Sequence, residues 1–121
     1  MEQSNIKQYL QKVTDLAVDG DTKHTITLEH ATETQYWFQL TWDMVNICYP
    51  FTGHPAIQLK QYGLDTEAQQ GLYLVDWKAN QYCTSEHDAN DLDAIAGFIL
   101  QYFKKGLAIN DDAAAWNIIE Q

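Results

Sequence analysis

The chain has 121 residues, a length that suits one domain built around one hydrophobic core. Its seven basic residues are all lysines and face 17 acidic residues, which gives a formal net charge of −10. Because arginine is absent and the charge is strongly negative, we expect no direct binding to nucleic acid or to an anionic membrane.

The composition is that of a folded protein from a reducing compartment. Hydrophobic residues make up 45% of the chain and aromatic residues 12%, far from the composition of a disordered protein. The first residues lack the basic start and apolar run of a signal peptide. Cys48 and Cys83 match no short-spaced pairing motif. We therefore expect a cytoplasmic protein with two free thiols and no cofactor.

A helix followed by a hairpin is predicted for the first third of the chain. Residues 5–18 carry apolar side chains at helical spacing, with Ser4 as the N-cap. In residues 23–30 and 35–42 the apolar side chains alternate instead, which indicates two half-buried strands. The short polar connection between these strands favours a hairpin.

The middle of the chain gives a weaker pattern. Residues 43–55 are predicted as a strand followed by a loop, because Pro50, Gly53 and Pro55 are incompatible with a regular ladder. Residues 56–62 are predicted as a further strand.

The last part of the chain predicts a second hairpin and two helices. The hairpin joins residues 72–77 to residues 81–85 through Ala79 and Asn80, which would place Trp77 opposite Tyr82. Residues 88–105 regain the helical period, with acidic residues at the start and lysines at the end, as the helix dipole favours. A shorter terminal helix is predicted for residues 112–119.

These elements predict a single α+β domain that spans residues 1–121. We expect a two-layer sandwich in which an antiparallel sheet of about five strands packs against the N-terminal and the C-terminal helix, plus the short terminal helix. We also expect that Trp37, Val45 and Ile47 do not all fit beneath the helices. Apolar residues left on the other sheet face would mark an association surface, with a homodimer as one form of association.

The loop around His54 is the strongest candidate for a ligand site. His54 lies between Gly53 and Pro55, in a segment with the turn residues of many functional loops. Together with Trp37, Trp42 and Tyr49, it could line a pocket for an apolar or sugar-like ligand. The competing interpretation is a surface turn without chemistry and aromatic side chains that fill the core.

A metal site near Cys83 and His87 is a weaker candidate. Both residue types bind zinc, and Glu86 and Asp88 lie beside them at the predicted junction of strand and helix. The same residues are explained equally well as helix caps and as a solvated loop, without a bound metal.

No local catalytic motif supports an enzyme. The chain contains no glycine-rich phosphate loop, no Gly-x-Ser-x-Gly elbow and no His-Glu-x-x-His pair. The leading hypothesis is a small, acidic, non-enzymatic module that acts through association with a protein partner or with itself. The alternatives are a small-ligand binder or enzyme that uses the His54 loop and the aromatic strand, and the metal site.

Overall fold

A six-stranded antiparallel sheet forms one layer of the molecule, and helices form the other. The structure is a computed structural model that describes residues 1–64, 71–109 and 115–121. The helices are α1 (Gln3–Val18), α2 (Pro55–Gln58) and α3 (Leu92–Gln101). The strands are β1 (Ile26–His30), β2 (Trp37–Leu40), β3 (Met44–Tyr49), β4 (Tyr73–Lys78), β5 (Gln81–Glu86) and β6 (Trp116–Glu120). The predicted α+β class is confirmed, with one strand more than about five.

The strands lie in the order β4-β5-β3-β2-β1-β6, so β4 and β6 are the two edges of the sheet. Neighbouring strands pair antiparallel throughout. This order follows from a three-stranded meander, β1–β2–β3, and a hairpin, β4–β5, which pairs with β3 through β5. The last strand then returns to the first, which places β6 beside β1.

Helix α1 begins slightly earlier than predicted. Glu2, rather than Ser4, is the N-cap, and its N–H donates to the Oδ1 atom of Asn5 at 3.0 Å. This hydrogen bond satisfies the N–H of the capping residue, which has no partner within the helix. Ile6, Leu10 and Val13 are buried, so the predicted apolar stripe is the face that α1 packs onto the sheet.

Helix α3 begins at Leu92, later than the predicted residue 88. The Oδ1 atom of Asp91 accepts from the N–H of Ala94 at 3.0 Å and caps the helix there. After Gln101 the chain continues as a π-helical turn, Tyr102–Gly106. Among the described residues, no helix has the length and the apolarity that crossing a membrane requires.

The predicted strand at residues 56–62 is wrong, because this segment is helical. It consists of α2 and a 3₁₀ turn, Leu59–Tyr62. The ring Nδ1 atom of His54 accepts from the N–H of Ala56 at 3.1 Å, and Pro55 is preorganised for the first helical position. Gly63 then ends the turn with a φ of 72°, which a residue with a side chain rarely adopts.

The register of the second hairpin also differs from the prediction. Trp77 lies opposite Cys83, and Tyr82 lies opposite Lys78. The predicted register assumed a turn of two residues. The last pair of the hairpin is Lys78 and Tyr82, and three residues separate them: Ala79, Asn80 and Gln81. The longer loop shifts the pairing by one residue.

The predicted terminal helix at residues 112–119 is wrong where the structure describes it. Residues 112–114 lie outside the described residues, and Trp116–Glu120 is the strand β6. Strand β1 would otherwise leave one row of backbone groups unpaired at that edge, and β6 satisfies them over five residue pairs. Pairing with a distant strand therefore decides the structure of residues 116–119, which the sequence pattern had assigned to a helix.

The core lies between the helices and one face of the sheet. Val45 and Ile47 are buried there, at 3% and 4% exposure. Trp37 points to the other face, which we call the open face, and is half-buried. Of the three residues that we expected not to fit together beneath the helices, Trp37 is the one outside. The open face is otherwise largely polar and carries a cross-strand row of Thr27, Gln39, Asn46 and Thr84.

Candidate functional site

His54 has a structural role as the cap of α2. Its Nδ1 atom accepts the hydrogen bond from Ala56, and the edge of its ring contacts Trp77 at 5.3 Å between ring centroids. The side chain is exposed. The local turn and the following Pro55 therefore explain where this ring lies, and its Nε2 side faces away from the helix that it caps.

Tyr49 lies at the same corner of the sheet but is fully buried. Its ring contacts Trp77 at 6.0 Å and Phe51 at 5.3 Å between centroids. Its hydroxyl donates to the carbonyl oxygen of Gly53, and burial raises the pKa of Tyr49 to about 12. This hydroxyl is thus already used in holding the His54 loop against the sheet.

The two tryptophan candidates lie away from that corner. Trp42 is 39% exposed in the tight turn between β2 and β3, where the N–H of Thr41 donates to the carbonyl of Met44 at 3.0 Å. Tyr49 is at the opposite end of β3, roughly 16 Å along the strand. Trp37 lies on the open face, whereas Tyr49 faces the helices. The structure brings together only His54 and Tyr49 of the four candidates.

Cys83 and His87 lie apart on one segment of chain. Cys83 is buried on the helix face of β5, opposite Ile47, and His87 follows the end of that strand. Burial raises the pKa of Cys83 to about 12, which disfavours the thiolate that a metal would need. Within residues 1–64, 71–109 and 115–121, no three metal-binding side chains come together.

His87 nevertheless has an unusual environment. It is 5% exposed, and its Nδ1 atom accepts from the N–H of Ala89 at 3.0 Å. The neutral ring therefore carries its proton on Nε2, which is buried and finds no hydrogen-bond partner among the described residues. Burial lowers the pKa of His87, against the opposing effects of the Thr41 backbone and of Asp43 and Asp88.

The open face contains a shallow polar depression of about 250 Å³, lined by Gln39, Thr41, Met44, Asn46 and Thr84. Two side-chain hydrogen bonds cross this face. Gln39 donates to Thr27 at 3.1 Å, and Thr84 donates to Asn46 at 2.9 Å. Neutral polar groups that already pair with one another fit a solvated sheet face, and no charged residue lines the depression.

The two edges of the sheet differ in their protection against further pairing. Strand β4 contains a bulge between Leu74 and Asp76 and ends in Lys78, and both features obstruct the approach of another strand. Strand β6 pairs with β1 in continuous register over all five residues, with no bulge, proline or lysine. In the described part of the chain, no strand pairs with its outer side.

The hydrogen bonds at the ends of β6 identify which backbone groups point outward. Thr25 and Gln121 exchange two hydrogen bonds of 2.9 Å, and Ala31 donates to Ala115 at 2.7 Å. Hydrogen-bonded and non-hydrogen-bonded pairs alternate along an antiparallel ladder. The backbone N–H and C=O groups of Trp116, Ile118 and Glu120 are therefore directed away from β1, toward the open side of the edge.

The side chains of this edge are partly apolar and partly charged. Ile118 is 48% exposed and Ile119 is 42% exposed, on opposite faces of the sheet. Glu120 contacts the ammonium of Lys12 at 2.6 Å and the Nε2 atom of His24 at 3.0 Å. Both contacts lower the pKa of Glu120, and the hydrogen bond with Lys12 has the larger effect.

The β6 edge, defined as the outer side of Trp116–Glu120, is the feature that the sequence analysis missed. The pattern Trp-Asn-Ile-Ile-Glu contains two β-branched residues, which favour a strand. Its position at an edge depends on the order of all six strands and has no local signature. Comparison with known proteins gives no further assignment, since no family model, curated protein or solved structure matches the chain.

Proposed function

We propose that this protein is a non-enzymatic module that associates with another polypeptide by adding a strand of that partner to its sheet at the β6 edge. The observation that carries the proposal is the contrast between the two edges. One edge is bulged, and the other is regular, with two isoleucines about half exposed. Natural sheets normally obstruct a regular exposed edge, because it pairs readily with other chains.

The backbone supplies the attraction that strand addition requires. Trp116, Ile118 and Glu120 direct donors and acceptors outward, and each hydrogen bond formed there contributes about 0.5–1.5 kcal/mol net. Such main-chain pairing provides affinity in many peptide-binding domains, while side-chain contacts provide specificity. Covering Ile118 and Ile119 adds an apolar contribution at the centre of the contact.

We also propose that the module is cytoplasmic. Cys48 and Cys83 are both buried and free. Burial raises the pKa of Cys48 to about 11, so neither thiol is prepared for oxidation or exchange. Unpaired cysteines of this kind suit a reducing compartment.

Site-specific photo-crosslinking of the full-length protein tests the proposal. A photoreactive amino acid at position 119 should capture a polypeptide when the cells are irradiated, and mass spectrometry should map the adduct to an extended segment of it. Adding Ile118→Lys should abolish the adduct, because a lysine in the middle of an edge strand obstructs pairing. Ile57→Lys is the matched control, since Ile57 is 70% exposed on α2, away from the edge.

The outcome that contradicts the proposal is equally specific. Strand addition at β6 is excluded if Ile118→Lys and Ile57→Lys give the same adducts as the parent protein. It is also excluded if position 119 gives no adduct in cells where the protein is abundant.

A further inference from the structure

We infer that the segment accepted by the β6 edge is a basic, extended segment of a different protein, with apolar residues at its centre and lysine or arginine beside them. This inference rests on the proposed function and specifies the chemistry of the partner. It is carried by Glu29 on the open face, by the net charge of −10 and by the register that the outward backbone groups impose.

The register determines what the incoming segment contacts. A strand paired with the outward groups of β6 has side chains beside Ile118 on the helix face and beside Asn117 and Ile119 on the open face. The two isoleucines are consecutive residues near the centre of β6, one on each face of the sheet. Apolar residues at the centre of the incoming segment would therefore cover them, and its remaining positions lie beside polar and charged groups.

On the open face, the paired positions of β1, β2 and β6 include one charged residue, and it is acidic. Glu29 lies opposite Asn117 on β1, and the other open-face positions of β1, β2 and β6 are uncharged. These are Thr27, Trp37, Gln39, Asn117 and Ile119. An added strand would lie about 10 Å from the β1 backbone, a gap that a lysine or arginine and a glutamate side chain span together.

On the helix face, the charges beside the edge have both signs. Lys12 is already bound to Glu120 at 2.6 Å. It also lines a surface depression of about 360 Å³ on α1, together with Asp15 and Asp19. At the Trp116 end of the edge, Lys104 lines a second depression together with Trp116, so the helix face gives no preference for the charge of the incoming segment.

The same charges argue against a second copy of this chain as the occupant. Two copies would each bring a formal net charge of −10 to the contact. In a symmetric antiparallel pair centred on Ile118, Glu120 of one copy lies opposite Trp116 of the other. No acidic side chain of β6 gains a cationic partner in that arrangement, so backbone pairing alone would have to overcome the repulsion.

Short extended peptides that differ only in charge test the inference. Each peptide has the same central valines and threonines, and the flanking positions are all lysine, all glutamine or all glutamate. Binding to the full-length protein is followed by NMR through amide exchange at Ile118 and Glu120. The lysine peptide should protect these amides and bind at least about tenfold more tightly than the glutamine peptide at low salt, with the difference shrinking as salt rises.

Two variants separate binding at the edge from general attraction to an acidic protein. Ile118→Lys should abolish protection by the lysine peptide, whereas Ile57→Lys adds the same charge elsewhere and should leave it. Glu29→Gln should weaken the lysine peptide about two- to fivefold and leave the glutamine peptide unchanged, as expected for one exposed ion pair.

Each contrary result has a distinct meaning. Equal affinities for the lysine and glutamine peptides would overturn the charge preference and leave strand addition intact. Protection of these amides by self-association, seen as a dimer in sedimentation velocity, would make a second copy the occupant. If no peptide protects the two amides, or if Ile118→Lys binds the lysine peptide as well as the parent does, strand addition itself fails.

Discussion

Two buried histidines show how single side chains end strands in this molecule. His30 closes β1, and its Nδ1 atom accepts from the N–H groups of Thr32 at 3.3 Å and Glu33 at 3.0 Å. His87 follows β5 and accepts from the N–H of Ala89 in the same way. In both places the ring nitrogen acts as the side-chain oxygen of Asn or Asp acts in a turn. At His87 only a neutral ring can accept this bond, which links that turn to protonation.

For His87 this linkage predicts a loss of stability in acid. Burial lowers its folded-state pKa below the ordinary value of 6.5, so the unfolded chain binds the proton more readily. The contribution of the neutral ring is present above pH 6.5, declines as the pH falls through that value, and its loss is complete below the folded-state pKa. Protonation also removes the acceptor for Ala89, which adopts a φ of 60°.

The variant His87→Asn tests this linkage, because asparagine keeps an acceptor for Ala89 and does not titrate. Urea unfolding between about pH 7.5 and pH 5 should show a smaller decrease in the free energy of unfolding for His87→Asn than for the parent protein. Parallel decreases in the two proteins would show that His87 does not contribute to acid sensitivity.

At the scale of elements, pairing and capping decide what local periodicity leaves open. The period of apolar residues was sufficient to predict α1, α3, β1 and β2, whose buried side chains recur at helical spacing or alternate strictly. Strands β3, β4 and β5 were also predicted, although their buried side chains do not alternate strictly. The period failed for residues 56–62 and 112–119. The first is helical because a histidine caps it and Leu59 is buried. In the second, residues 116–119 belong to β6, which pairs with β1. The β6 edge could not be predicted, since an edge exists only once strand order is known.

The capping of α2 predicts losses of different size for two substitutions of His54. His54→Ala removes the acceptor for Ala56 and should lower the free energy of unfolding by about 1 kcal/mol. His54→Asn keeps an acceptor at the cap and should lose no more than a few tenths of that amount. Denaturant unfolding of both variants measures the difference. Equal losses would mean that the contact of the ring with Trp77, rather than the cap, is what stabilises this corner.

The bulge in β4 leads to a prediction about the second edge. Deleting Val75, the residue between the shifted pairs Leu74 and Asp76, should restore continuous register and convert β4 into a regular edge. We expect the deletion variant to self-associate in sedimentation velocity at concentrations where the parent protein does not. Val75→Thr keeps the bulge and is the control, and circular dichroism checks that the sheet remains. If the deletion variant self-associates no more than the control, the bulge does not protect this edge.

At the scale of the whole molecule, electrostatic repulsion among the acidic side chains opposes folding. The chain carries ten more acidic than basic side chains, and α1 has no basic residue in its last turn. Asp19 caps its C-terminal end, where the partial negative charge of the helix makes a carboxylate unfavourable. At Asp19, repulsion from the negative net charge and from the helix dipole therefore both lower the stability of the folded protein.

We expect Asp19→Lys to raise the free energy of unfolding by about 0.5–1 kcal/mol at low ionic strength, through the dipole and through reduced repulsion. Asp19→Asn should give part of this gain, because it removes the charge without adding a favourable one. Denaturant unfolding in about 0.02 M and 0.5 M sodium chloride should show the gain shrinking with salt, since the Debye length falls well below 10 Å. A gain that is the same at both salt concentrations would trace the effect to helix propensity instead, because propensity does not depend on screening.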